Sequence, residues 1–342
     1  LRSAARQYRA IFSHHLITIP TDMETLEVLV KAIRHEAQDV YSVELAPIAG
    51  GPLPSFTAGA HIDLHLPSAL IRSYSLVNSQ DERHRYVVGV ARDAKSRGGS
   101  TYIHDKLRPG DKLTIGAPRN NFALAENAPH TVLISGGIGV TPLYCMIQRL
   151  QALGRSWELY LCSRTRHHAV FRDALDELLR SPASRGKVHY TFDQEPGIKM
   201  LDIAAVASAQ APDTHLYCCG PLPMLQSFEK ACEGRAQECV HVEYFAAKEA
   251  PASTGGFTVV LAKSGKTLEV PAGKTILDAV LDAKIRVSYS CMEGICGSCE
   301  VSIIEGIADH RDLVLSKDEH AANKTMMICC SGSKSDTLVL DL

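Results

Sequence analysis

Net charge is almost absent from this chain: 36 Lys and Arg against 38 Asp and Glu leave −2 over 342 residues. A binder driven by phosphate neutralisation needs a cationic excess, so nucleic acid is not an expected partner. Long apolar runs are missing too. No stretch approaches the roughly 18 residues that would argue a transmembrane helix, so no membrane span is expected. Internal repeats, low-complexity tracts and coiled-coil heptads are also lacking. What remains is an ordinary globular composition, and the length suggests two or three domains. Cysteine is not scarce: there are eleven. A disulfide framework belongs to short secreted chains, and this chain is long, so a reducing cytoplasm is the expected location. Cys145, Cys162, Cys218, Cys232, Cys239 and Cys330 read as small core or surface residues.

The other cysteines are patterned. Cys291, Cys296 and Cys299 follow C-x4-C-x2-C, and Cys329 comes after a gap of twenty-nine residues. This is the plant-type [2Fe–2S] ligand spacing. Structural zinc usually shows two short Cys or His pairs, and here only Cys296 and Cys299 form one. Small residues in the loop, Gly294, Gly297 and Ser298, let backbone N–H groups turn toward sulfur. Cys330 leaves a one-residue ambiguity at the fourth position. Cys329 is preferred, because its strand neighbour then points away. Residues 257–342 resemble a plant-type ferredoxin of β-grasp, α+β fold. Thr258–Leu261 and Lys266–Val270 alternate as a hairpin, and Glu300–Ile304 and Thr337–Leu340 supply further strands. Thr275 to Asp282 reads as a helix with Thr275 as N-cap and Asp278 completing a capping box.

Residues 26–126 read as short strands and turns, suggesting a small antiparallel β-barrel. Within it lies Arg72-Ser73-Tyr74-Ser75. Alternation puts Arg72 and Tyr74 on one face, Ser73 and Ser75 on the other. Arg97-Gly98-Gly99-Ser100 follows and opens a short helix, expected over Thr101 to Leu107. Glycines and a hydroxyl at a helix start suit a phosphate. The pairing resembles the ferredoxin-reductase flavoprotein superfamily. By that resemblance Arg72 reaches the flavin phosphate and Tyr74 lies along the ring and ribityl chain. Ser73 joins the flavin-binding set, and Ser75 hydrogen-bonds near flavin N5. Gly98, Gly99 and Ser100 cradle the phosphate. The Arg-Gly-Gly-Ser form is similar to the phthalate-dioxygenase-reductase branch, which implies FMN, with FAD the alternative.

Residues 127–246 alternate strand and helix, the pattern of an α/β Rossmann-like domain. A buried strand, Thr131–Ser135, leads into Gly136-Gly137-Ile138-Gly139-Val140-Thr141-Pro142 and a helix from Leu143 to Leu153. Glycines there let the backbone approach a pyrophosphate, and Pro142 suits a first helical turn. Tight helix–strand packing is the plainer reading of the same glycines. The strand His215–Cys218 ends in Cys219-Gly220-Pro221. The resemblance puts Cys219 beside the nicotinamide, as a catalytic neighbour with Ser75, and Gly220 and Pro221 in the same site. It also carries over Glu243 and Phe245 as flavin-side residues. Ser163 and Arg164 follow the second strand with no acid to take ribose hydroxyls, which favours a 2′-phosphate. The resembled branch uses NADH, so NADH is the expectation and NADPH the alternative.

Residues 247–256 are small, polar and Pro/Gly-bearing, and read as a linker. Residues 1–25 read as an unstructured leader, of which residues 1–22 precede a candidate start at Met23. Taken together, the chain is similar to the reductases of phthalate dioxygenase and vanillate demethylase. The resemblance implies hydride transfer from NADH to FMN, then single electrons through a [2Fe–2S] cluster to a Rieske/non-haem-iron terminal oxygenase of aromatic catabolism. The alternative is a flavin/iron–sulfur reductase for another acceptor, such as a soluble monooxygenase or a haem protein. The cluster loop around Met292, Glu293 and Ile295 is the expected docking face.

Overall fold

The computed structural model describes residues 25–67, 70–94 and 96–342. The expected leader up to residue 24 lies outside them, and Thr25 already belongs to the first strand.

Alternating apolar residues build β1 (Thr25–Ala37), β2 (Val40–Pro47), β3 (His61–Leu66), β4 (Leu70–Ser75), β5 (Tyr86–Ala91) and β6 (Lys112–Gly116). They form one antiparallel sheet in the order β4-β3-β6-β1-β2-β5. Leu76 bridges to Val88 and so joins the two edges. The sheet curls onto itself, which removes exposed edges. The helix α1 (Gly99–Asp105) covers one end and starts two residues earlier than the sequence suggested.

The next sheet is wholly parallel. Its strands are β7 (His130–Gly136), β8 (Ser156–Ser163), β9 (Gly186–Phe192), β10 (His215–Cys219) and β11 (Val240–Glu243), ordered β11-β10-β7-β8-β9. Four α-helices connect them: α2 (Val140–Ala152), α3 (Arg172–Arg180), α4 (Ile203–Ser208) and α5 (Leu222–Ala231). Strand order reverses between β7 and β10, the place where such sheets open a ligand crevice.

The last sheet is mixed, ordered β13-β12-β18-β14-β16. It comprises β12 (Phe257–Leu261), β13 (Lys266–Val270), β14 (Glu300–Glu305), β16 (Thr325–Met327) and β18 (Thr337–Leu340), with the small pair β15 (Ala308–Asp309) and β17 (Gly332–Ser333) beside it. The helix α6 (Ile276–Asp282) is closed by the capping box: Asp278 N–H donates to the Thr275 hydroxyl at 3.1 Å, and Thr275 N–H donates to the Asp278 carboxylate at 2.9 Å. A second short helix, α7 (Lys317–Ala322), carries its own box from Ser316 and Glu319.

The apolar cores divide unevenly. One continuous cluster runs from the curled sheet (Val43, Ile62, Leu64) to one face of the parallel sheet (Leu133, Leu159, Tyr217). The other face of that sheet has its own cluster around Leu216 and Phe228. The mixed sheet closes a separate core around Val259, Leu277 and Ile328. Residues 246–256 between them adopt no helix or strand, yet they are anchored. Lys248 pairs with Glu229 of α5 at 3.1 Å, and Ala252 N–H donates to the Cys330 carbonyl at 2.7 Å. Among the described residues no helix is long and apolar enough to cross a membrane.

Candidate functional site

On β4, Arg72 and Tyr74 share a face and Ser73 and Ser75 take the other, as alternation requires. The Arg72 side chain lies along the start of α1: a Cβ on Gly99 would sit 2.7 Å from Arg72 Cγ, so only glycine admits it. Its guanidinium donates to the carbonyls of Ile71 (2.7 Å) and Arg97 (3.2 Å). Burial and then the nearby Arg97 charge hold the Arg72 pKa below the usual guanidinium range. Two guanidiniums here have one acid beside them, Glu293, which pairs with Arg97 at 2.7 Å. With Gly98 as N-cap and the Ser100 hydroxyl at the same turn, the donors suit an anionic group. Burial pushes the Tyr74 phenol up to about 12, so it stays neutral.

Ser75 is buried opposite His61. The Ser73 hydroxyl donates to Asp63 at 2.7 Å and lies 3.3 Å from the Ser290 hydroxyl, so it faces away from Arg72 and Tyr74. The sequence grouped it with the flavin-binding residues; its side chain instead reaches the cysteine-bearing region.

In the parallel sheet, Gly136 ends β7, Gly137 and Gly139 form a 3₁₀ turn, and Pro142 sits in the first turn of α2. A Cβ on Gly139 would lie 2.1 Å from the Cys219 carbonyl oxygen, and one on Gly136 would lie 2.4 Å from Pro221. The glycines thus let the turn press onto Cys219-Gly220-Pro221 at the end of β10. The glycines serve tight packing, and the turn lies at the crevice of the sheet. Thr141 is turned inward, its hydroxyl donating to the Ile138 carbonyl at 2.9 Å. Ser163 donates to the Thr165 carbonyl at 2.9 Å, and Arg164 is exposed beside it. Arg166 is held by Glu195 at 3.0 Å.

Cys219 and Glu243 are register partners on β10 and β11, with Sγ and Oε2 3.9 Å apart. Burial pushes the Glu243 carboxyl up to about 8 and the Cys219 thiol well up. At neutral pH the pair is a protonated, uncharged floor. Phe245 lies just beyond, 39 % exposed.

Cys291, Cys296, Cys299 and Cys329 are all buried. Contact with Cys291 and then burial push the Cys296 thiol up, and contact with Cys329 and then burial do the same for Cys299. Cys296 and Cys299 ionise only against a positive centre, so this set of four buried sulfurs fits a thiolate-bound iron–sulfur group. Glu293 N–H donates to Cys291 Sγ at 3.3 Å. Cys330 is turned elsewhere: its sulfur lies 3.8 Å from the Met327 carbonyl, under Gly294.

The cysteine loop packs against the curled sheet. Asn121 Nδ2 donates to the Cys296 carbonyl at 3.1 Å, Arg97 holds Glu293, and Ser290 meets Ser73. Ile295 lines a cavity of about 50 Å³ with His61, Asn121, Glu243, Tyr244 and Val314, where all three regions converge. Of the three residues expected at the docking face, two lie against this junction. Glu293 and Ile295 face inward, because the polar loop backbone finds its partners on the curled sheet. Met292 alone of the three is exposed, at 41 %.

Sequence reading missed Asp63, Arg119, Asn121 and Ser290, and gave Arg97 no role toward the cysteine loop. The available signal was an acid in mid-strand, within the otherwise buried His61-Ile62-Asp63-Leu64 run. It also missed His310, Asp312 and His320, whose ligand atoms lie within 4.8 Å of one another. The two rings stack nearly parallel, at 16° and 4.5 Å, which does not aim both lone pairs at one ion. Asp312 accepts from Val314, Leu315 and His320, and Leu313 N–H donates to the Gly294 carbonyl at 2.9 Å. The group supports the cysteine loop.

Two domain families match the chain: an oxidoreductase NAD-binding domain over residues 133–230, and a 2Fe-2S iron-sulfur cluster binding domain over 259–333. The phenoxybenzoate dioxygenase subunit beta of Ectopseudomonas oleovorans is 51% identical over 94% of this chain and 98% of its own length. The vanillate O-demethylase oxidoreductase of a Pseudomonas strain, HR199, is 42% identical over 93% of this chain and 100% of its own. Among solved structures, phthalate dioxygenase reductase, described as a modular structure for electron transfer from pyridine nucleotides to [2Fe-2S], is 38% identical with a TM-score of 0.69. It covers 93% of this chain and 98% of its own.

Proposed function

The chain belongs to the phthalate dioxygenase reductase and vanillate demethylase reductase family, and from that membership we propose that it is the NADH-dependent reductase component of a Rieske-type aromatic oxygenase. In this reading flavin accepts hydride from NADH and releases electrons singly, and a [2Fe–2S] cluster relays them to the terminal oxygenase.

The residues divide that work. Arg72, Arg97, Gly98, Gly99 and Ser100 hold the flavin phosphate; Tyr74 lies along the ring, and Ser75 stands behind it. The Arg97-Gly98-Gly99-Ser100 run, similar to that of the phthalate-dioxygenase-reductase branch, favours FMN. Gly136, Gly137 and Gly139 admit the NADH pyrophosphate, with Thr141 and Pro142 fixing the helix start behind it. Ser163 and Arg164 take the adenosine ribose. Cys219, with Gly220 and Pro221, gives the nicotinamide a compact floor, and protonated Glu243 keeps that floor uncharged. Phe245 closes its rim. Cys291, Cys296, Cys299 and Cys329 bind the cluster. The outward flank at Met292 is where the oxygenase docks.

One observation supports this reading above the rest. His61 of the curled sheet, Glu243 of the parallel sheet and Ile295 of the cysteine loop bound one small space, from three different domains. Proximity of that kind is what successive transfers need. The test is a visible spectrum of the purified protein with chromatography of the released flavin. Overlapping flavin and iron–sulfur bands with FMN released are expected, and a colourless zinc protein would end the proposal. Comparison of kcat/KM for NADH and NADPH decides the nucleotide, with NADH favoured.

A further inference from the structure

We propose that Asp63 is a positioning residue that locks the cysteine loop onto the flavin-side strand and so sets the gap the electron crosses; this rests on the function proposed above. Asp63 has no exposed surface. It lies in β3, between β4 and β6. One carboxylate oxygen accepts from the Ser73 hydroxyl at 2.7 Å and the other from Arg119 at 2.8 Å. The Ser290 hydroxyl, on the far side of the domain boundary, meets that Ser73 hydroxyl at 3.3 Å. Ser290 directly precedes Cys291, and Ser73 stands between Arg72 and Tyr74. A single buried charge therefore ties the strand that carries the flavin-side residues to the loop that carries the cysteines.

Among the described residues three polar links cross this boundary, and their surroundings rank them. Arg97–Glu293 is largely exposed, with Arg97 at 56 %, and exposed pairs contribute little. Asn121 to the Cys296 carbonyl is a neutral bond. The Ser73–Ser290 link is part-buried, and the buried Asp63 carboxylate fixes its Ser73 end by a charge-assisted bond, about twice as strong as a neutral one. An apolar residue would fill this site in β3 without the penalty of a buried carboxylate.

Asp63→Asn keeps the shape and removes the charge, and Ser290→Ala removes only the cross-boundary hydroxyl. In anaerobic stopped-flow of the holoenzyme, flavin bleaching by NADH is expected to stay within about twofold of wild type in both. Subsequent electron arrival at the cluster, followed by its own absorbance, is expected to slow by about tenfold or more in Asp63→Asn, because small misplacements cost large factors in rate. Ser290→Ala shifts the same step in the same direction, and it carries the test alone if Asp63→Asn does not fold. Amide hydrogen exchange over residues 288–300 is expected to quicken in both variants. Unchanged transfer with unchanged exchange overturns the proposal, as does an equal slowing of both kinetic steps. A purified chain lacking flavin and cluster bands would sink the functional reading instead, while the exchange measurement would still report on the Asp63–Ser73–Ser290 link.

Discussion

A carboxyl that keeps its proton at neutral pH leaves a mark on stability. Burial raises Glu243 from 4.5 to about 8. Between those values the folded chain holds a proton that the unfolded chain has released, so its stability falls as pH rises through that window. Below pH 4.5 and above pH 8 this contribution is flat. The Tm difference between wild type and Glu243→Gln is therefore expected to shift against wild type from pH 5 to 8, by thermal melts in matched buffers; a pH-independent difference would refute the raised value. Cysteine provides a second test at this scale. Cys330 faces Met327 and the underside of Gly294, so Cys330→Ala is expected to keep iron–sulfur absorbance, whereas Cys329→Ser abolishes or strongly alters it. Iron content and the visible spectrum decide between them.

Turns and caps carry the argument at the scale of elements. Gly139 meets the Cys219 carbonyl so closely that any side chain must push β10 and α2 apart. Gly139→Ala is expected to lose about 1–3 kcal/mol of stability, the usual range for overpacking, and to weaken NADH more than flavin. Denaturant melts and KM measure the two effects. Elements of this kind were legible in the sequence, because a glycine turn after a strand or Thr275-x-x-Asp278 before a helix encodes its own backbone locally. Less was legible where local cues conflict. β6 is five residues long, β11 four, and α5 opens with Leu222-Pro223, which reads as turn although Pro is tolerated in a first helical turn. Least legible was the junction: Ser73 meets Ser290 across 217 positions, and no window of sequence contains both.

At the scale of the whole molecule, the curled and parallel sheets share one apolar cluster, while the mixed sheet keeps its own and meets them through polar contacts. Polar seams resemble transient interfaces and permit separate unfolding. Scanning calorimetry is expected to resolve two transitions, with the iron–sulfur absorbance lost in only one of them. A single transition in which both signals vanish together would show that the junction couples the cores more tightly than its contacts suggest.

That division of cores also bears on how the protein is made. Domains tend to fold in the order they leave the ribosome, at about 5–20 residues per second. The curled and parallel sheets are complete by Glu243, before any residue of the mixed-sheet core has been synthesised. The cysteine loop therefore emerges beside a finished surface that already presents Asp63, Arg97 and Asn121. In biogenesis, iron–sulfur insertion becomes a late event, taking place on a loop whose resting place was built first.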